Sequence, residues 1–192
     1  MSDGIEKLRE DLEILEEMAA EMDSYLKSEV LFWPMAKGNM PRLTLGGYLM
    51  RQHRLVELKA LLTDDERASL DAAIEQFNKA LVEKVVRLEQ RANQELEARL
   101  RQWGEYLTDL ARESGSSSAY YATAVEPRAM ITALINKLKL PPYQLEPRIP
   151  EQVAMYDNNL RRRWQSGNFV WPEEWRPAYP ETTYWWLYGK PK

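Results

Sequence analysis

The apolar positions of the first segment recur with the most regular spacing in the chain. Ile5, Leu8, Leu12, Leu15, Ala19, Met22 and Leu26 are separated alternately by three and four residues, a heptad seam held for three heptads. This spacing predicts a helix over about residues 4–30, capped by Asp3 with Glu6 as reciprocal partner and ended before Pro34. Ile14, Met18 and Tyr25 flank the seam and widen it, so the helix should meet more than one neighbour.

Residues 31–43 read as an apolar loop broken by Pro34, Gly38 and Pro41. A second helix is predicted over about 44–62, with Leu45, Tyr48, Leu49, Leu55, Leu58, Leu61 and Leu62 apolar. Gly46 and Gly47 weaken its first turn, by about 1 kcal/mol each relative to alanine, and allow another backbone to come close.

Thr63-Asp64-Asp65-Glu66 is a capping box, with acids against the positive end of the helix it starts. No proline or turn cluster follows until Ser114-Gly115-Ser116-Ser117-Ser118. From Leu70 through Phe77, Leu81, Val85, Leu88, Leu96 and Trp103 to Leu110, apolar positions repeat every 3.6 residues or so, the period of a nearly straight rod. Glu75–Lys79, Glu83–Arg87, Glu95–Arg99 and Glu97–Arg101 add acid-then-base pairs at i, i+4, and Gly104 is the one weak link. The predicted fold class is therefore all-α, an elongated helical bundle around one very long helix, 63–113, of about 50 residues and about 75 Å. A rod of that length needs the first two helices laid along it as a broken antiparallel partner, or a second chain.

The remainder divides into 114–165, short helices with proline-rich connectors, and 166–192, an aromatic and proline-rich tail. Pro127 fits the first turn of a helix reaching about Leu140, and Pro150 that of another reaching about Gln165. Ala119–Val125 fits either helix or extended chain. The tail has no helical period and should be irregular, packed on the helices.

Charge adds a block pattern. Residues 1–29 carry ten acids against three bases, and residues 30–62 one acid against five bases, within an overall net charge of −4. Neighbouring blocks of opposite sign favour packing on one another, and the basic footprint of a nucleic-acid binder is missing. There are no cysteines, which excludes disulfides and thiol chemistry. No apolar run approaches the ~18 residues of a membrane span, and the first residues lack the basic and apolar regions of a secretion signal. A cytoplasmic location is expected.

The concentration of aromatics in the tail is the most unusual feature. Trp164, Trp171, Trp175, Tyr179, Trp185, Trp186 and Tyr188, joined by Trp33 in the first loop, are candidates for a binding surface, and the interspersed prolines would preorganise it. The alternative is that the tail wraps the helices and supplies core, each such ring burying about 150–250 Å². His53 is the only histidine; with Glu57 one turn on it has the spacing of a metal or acid–base pair, but no further histidine completes a zinc or di-iron ligand set. Glu13, Glu16, Glu17, Glu21 and Asp23 suggest the acid-rich helices of Mg²⁺-dependent all-α nucleotide hydrolases, although Glu13, Glu17 and Glu21 lie off the seam as a solvated face would. Arg161-Arg162-Arg163 next to Trp164 has phosphate-binding composition, but three adjacent helical residues point in different directions. No cofactor and no catalytic set is predicted. The leading expectation is a non-catalytic helical scaffold or interaction protein that self-associates, as a dimer. The second is a binding module using the aromatic tail against the bundle to hold a partner or small ligand; the third is the Mg²⁺-dependent hydrolase.

Overall fold

The heptad seam folds as its spacing predicts from Leu8 to Leu26, but its cap does not: Ser2 is the N-cap, without a side-chain cap hydrogen bond, and Asp3 is already helical and pairs with Lys7. In the computed structural model, which describes residues 2–112 and 117–192, α1 spans Asp3–Lys27 and buries Leu8, Leu12, Leu15, Ala19, Met22 and Leu26. The flanking Met18 and Tyr25 are buried too. The seam is occupied within the chain: α2 (Leu45–Glu57) lies antiparallel to α1, with Arg51 and Arg54 reaching Asp11, and α3 (Asp64–Leu81) runs parallel to it. Arg9 pairs with Glu66 at the starts of α1 and α3, and Asp23 with Lys84 just past the end of α3.

The capping box forms in full. Thr63 Oγ1 accepts from the Glu66 N–H at 3.2 Å while Glu66 accepts from the Thr63 N–H at 2.8 Å. Thr44 caps α2, accepting from the Gly47 N–H at 2.9 Å. At Gly46 the close neighbour is a carboxylate rather than a backbone: Glu95, wholly buried, accepts from the Gly46 N–H at 2.8 Å, and a Cβ on Gly46 would sit 2.6 Å from its Oε1.

The predicted 50-residue rod is two helices, α3 and α4 (Val85–Arg112), the longer having 28 residues. The chain reverses at Leu81–Lys84, a hydrogen-bonded turn in which the Lys84 N–H donates to the Leu81 carbonyl and Glu83 has φ 63°. A side-chain-bearing residue in that region costs about 1–2 kcal/mol. Reversal brings Glu95 back beside Gly46, close to where Phe77 of α3 stacks on Tyr48 at 4.1 Å. It also lets α4 bury Leu88, Ala92, Leu96, Leu100, Trp103, Leu107 and Leu110 against other parts of the same chain. At about 1.5–3 kcal/mol for each large apolar side chain, that burial outweighs one strained residue several-fold. The seam's Val85, by contrast, is left exposed. The whole molecule exposes 10249 Å², within about a tenth of the roughly 9,500 Å² expected of a compact monomer of this mass. The 75 Å rod, and the demand for a second chain that rested on its length, therefore fall away.

Beyond α4, α5 (Tyr121–Ala124) is a single turn, α6 (Glu126–Leu138) packs on both α2 and α4, and α7 (Arg148–Arg161) packs on α4. Of the serine linker at 114–118, residues 114–116 lie outside the described residues, and Ser117 starts a 3-10 turn, Ser117–Tyr120. The tail is more ordered than predicted. Its two ends form an antiparallel ribbon, β1 (Trp164–Phe169) with β2 (Tyr188–Pro191), and between them lie 3-10 turns and the single-turn α8 (Glu181–Tyr184). Helix dominates among the described residues, and no helix there is long and apolar enough to cross a membrane.

Candidate functional site

The tail is mostly interior. Trp171, Trp175, Tyr179, Trp186 and Tyr188 are buried, and Trp33, Trp164 and Trp185 are half-buried. Most polar ends of the buried rings find partners: Trp175 Nε1 donates to the Gly4 carbonyl at 2.9 Å, Trp171 Nε1 to the Ala122 carbonyl at 2.7 Å, and Tyr188 Oη to the Tyr179 carbonyl at 2.6 Å, whereas the buried Trp186 Nε1 has no partner among the described residues. Trp33 instead closes the first loop onto α1, its Nε1 donating to Glu21 at 2.7 Å. Trp164 stands edge-on to Trp185, whose face carries the Arg161 guanidinium at 3.8 Å. The predicted aromatic surface is thus brought together as a strap over the helices rather than as an open face.

Where the strap crosses α2 it creates two environments. On one side Arg54, 3% exposed, lies 3.8 Å over the Trp175 ring, donates through Nε to Tyr179 Oη at 3.0 Å and pairs with Asp11. Burial raises the pKa of the Tyr179 phenol, so it stays protonated as a neutral acceptor for this guanidinium.

On the other side α2, α6 and the strap leave a cleft of about 270 Å³. Its apolar lining is Leu49 and Met50 from α2 with Ala129 and Ala133 from α6, and the exposed side chains of Val56 and Leu140 stand at the rim. His53, Gln52 and Glu57 enter from α2, Lys137 and Asn136 from α6, and Tyr179 and Tyr184 from the tail. The His53 ring is fixed: Nε2 donates to the Ala178 carbonyl at 2.8 Å, so Nδ1 is its acceptor when neutral. Tyr184 lies beside it, ring centroids 5.9 Å apart, and burial, helped by Tyr179 and Glu57, pushes its phenol up to about 12. Lys137 sits between the Phe77 and Tyr143 rings, at 5.8 and 5.5 Å, with no carboxylate within 4 Å of its ammonium among the described residues. Burial lowers its pKa. Gln52 contributes a buried Oε1 that has no hydrogen-bond partner among the described residues.

Most of the remaining acidic candidates are engaged elsewhere. Glu13 and Glu17 pair with Lys37, Glu21 binds Trp33 and the Ala36 N–H, and Asp23 pairs with Lys27 and Lys84. Among the described residues no three His, Cys, Asp or Glu side chains converge as metal ligands. Arg161, Arg162 and Arg163 diverge as their adjacency predicts: Arg161 covers Trp185, Arg162 is exposed and the Arg163 Nε is buried. Of the cleft's polar groups, the sequence alone singles out His53, Glu57 and, within the aromatic tail, Tyr179. Lys137 and Gln52 are missed, because each reads as an ordinary polar position on an amphipathic helix until the strap is folded over them. Comparison of the chain with protein-family models, with curated proteins and with solved structures finds no match.

Proposed function

We propose that this protein is a helical binding module whose aromatic tail, closed over α2 and α6, completes a site for a small amphipathic ligand. The observation that carries the reading is the composition of the cleft: an apolar floor and rim with a few convergent polar groups, the usual make-up of a small-molecule site. Lys137 supplies a cation without an ion-pair partner among the described residues, suited to a carboxylate. On the opposite helix the exposed Glu57 carboxylate suits an N–H donor. A volume of 270 Å³ is that of about nine waters, or on the order of ten non-hydrogen atoms. The ligand class is therefore a small zwitterion with an apolar side, of the size of a hydrophobic amino acid. At about 0.3–0.6 kcal/mol per atom, dissociation constants should fall between tens of micromolar and a few millimolar.

The test is calorimetric titration with leucine and phenylalanine, beside the same molecules lacking either the amino or the carboxylate group. The parent compounds should bind, each truncated form should bind more weakly, and Lys137→Met should abolish the preference for the carboxylate. No heat from any member of the panel at 10-fold above the millimolar range, or equal binding by the decarboxylated amines, would overturn the assignment.

A further inference from the structure

The turn that reverses the chain between α3 and α4 contains no residue that asks for one. With Val82 at φ −56°, ψ 127° and Glu83 at φ 63°, Leu81–Lys84 is a type II turn, whose third position favours glycine or asparagine. Here that position holds glutamate. As helix, Leu, Val, Glu and Lys are all acceptable, and the apolar repeat, the capping box ahead and the Glu83–Arg87 pair all belong to one uninterrupted helix. Local preference thus favours a straight Asp64–Arg112, and packing within the monomer opposes it.

A second observation lies at the same place. Val82, Val85 and Val86 are 63%, 36% and 67% exposed. Their spacing of i, i+3, i+4 would set them as one apolar stripe if the helix were continuous. A third concerns what the turn joins. The interactions between residues 3–81 and 85–192 include Gly46 with Glu95, Arg54 with Tyr179, Trp175 with Gly4, and Arg91 with the Val30 carbonyl. All of them can be made equally well by the same groups of a second copy.

We propose that α3 and α4 straighten into one helix and that two chains exchange their 3–81 units, forming a domain-swapped dimer. The partner is a second copy of this chain, and its complementarity is that of the monomer's own interior. The two straight helices cross where their valine stripes cover one another. Each cleft is then built by two chains, with α2 from one and α6 and the tail from the other. Whether the cleft takes a ligand does not enter this proposal.

The chain has no cysteine, so Ala72→Cys with Gln94→Cys takes two unique spin labels at exposed sites of α3 and α4. A straight helix holds these positions about 33 Å apart; in the folded-back chain they are closer. The labelled protein, diluted with unlabelled chain, is refolded at roughly 0.5 mM, where mass action favours association, and its dimer fraction is isolated. The expected result is a dimer with the 33 Å separation within each chain. Glu83→Gly, which suits the turn and weakens the helix, should lower the dimerisation constant by about 100-fold. A protein that stays monomeric, a dimer with the monomer's label distance, or a Glu83→Gly variant that dimerises as well as the parent would each overturn the proposal.

Discussion

Two consecutive residues of α2 meet the same tail in opposite ways. Arg54 is enclosed: an indole covers its face, a phenol takes its Nε–H and a carboxylate its Nη1, and its Nη2 is buried with no hydrogen-bond partner among the described residues. His53, one position earlier, is held by a single backbone carbonyl and stands at the wall of an open cleft. A successive residue on a helix points about 100° further round the axis, so one strap can close over one and only border the other. The lesson is that the tail's aromatics have two roles. Trp171, Trp175 and Trp186 are core, whereas Tyr184 and the edge of Tyr179 line a cavity. A buried charge held between a carboxylate, a phenol and an indole fixes a structure. A cation beside rings, with no carboxylate close to it among the described residues, is a group that a ligand can complete.

The largest effects should come from the enclosed side. Trp175→Ala removes the ring above Arg54 and the bond to the Gly4 carbonyl, and should cost about 3–5 kcal/mol in urea unfolding. A loss below about 1 kcal/mol would show that the strap is not core. Arg54→Ala should cost about 3 kcal/mol, since it leaves Asp11 buried with Arg51 alone. Arg54→Met fills the space beneath the indole but leaves Asp11 just as stranded, so it should recover less than half of that.

The smaller effects sharpen the comparison. Lys137→Met in the cleft should change stability by less than about 1 kcal/mol, because no ion pair is lost; a core-sized loss would place Lys137 with Arg54 instead. Smallest is Glu66, whose carboxyl is held below its ordinary range by the Thr63 N–H, with Arg9 adding to it. A depressed folded value means that its contribution is present above the ordinary carboxylate range and lost as pH falls through the lowered one. Glu66→Gln should therefore flatten the acid limb of the stability profile between about pH 5 and 3, by a few tenths of a kcal/mol after solvent screening. A profile unchanged by the substitution would contradict this.

What the sequence reveals and conceals follows from the range of the interactions. The α1 seam, the Thr63–Glu66 box and the Thr44 start of α2 are local, carried by residues within one or two turns of each other, and all are legible. The break at Leu81–Lys84 is not, because glutamate occupies the position where a glycine would have announced it. The β1–β2 ribbon joins Trp164 to Pro191, and its Gly189, at φ 148°, lies against the Gln165 carbonyl. Neither half alternates strongly enough to read as a strand. The cleft is half legible: His53 and Glu57 share a helix turn, but Lys137 and Tyr184 reach them only through tertiary folding. The aromatic tail is conspicuous in sequence, yet whether it wraps or protrudes depends on whether the helices leave a surface for it.

The central claim is that α2 carries a closed side and an open one under the same strap. Methyl NMR during titration with leucine reads both sides at once. The Met50, Ala129 and Ala133 methyl groups should shift progressively and saturate, while Leu8, Leu12 and Met18 on the α1 side stay still. Unmoved cleft methyls, or shifts spread through the α1 side and the indoles of Trp171 and Trp175, would contradict it.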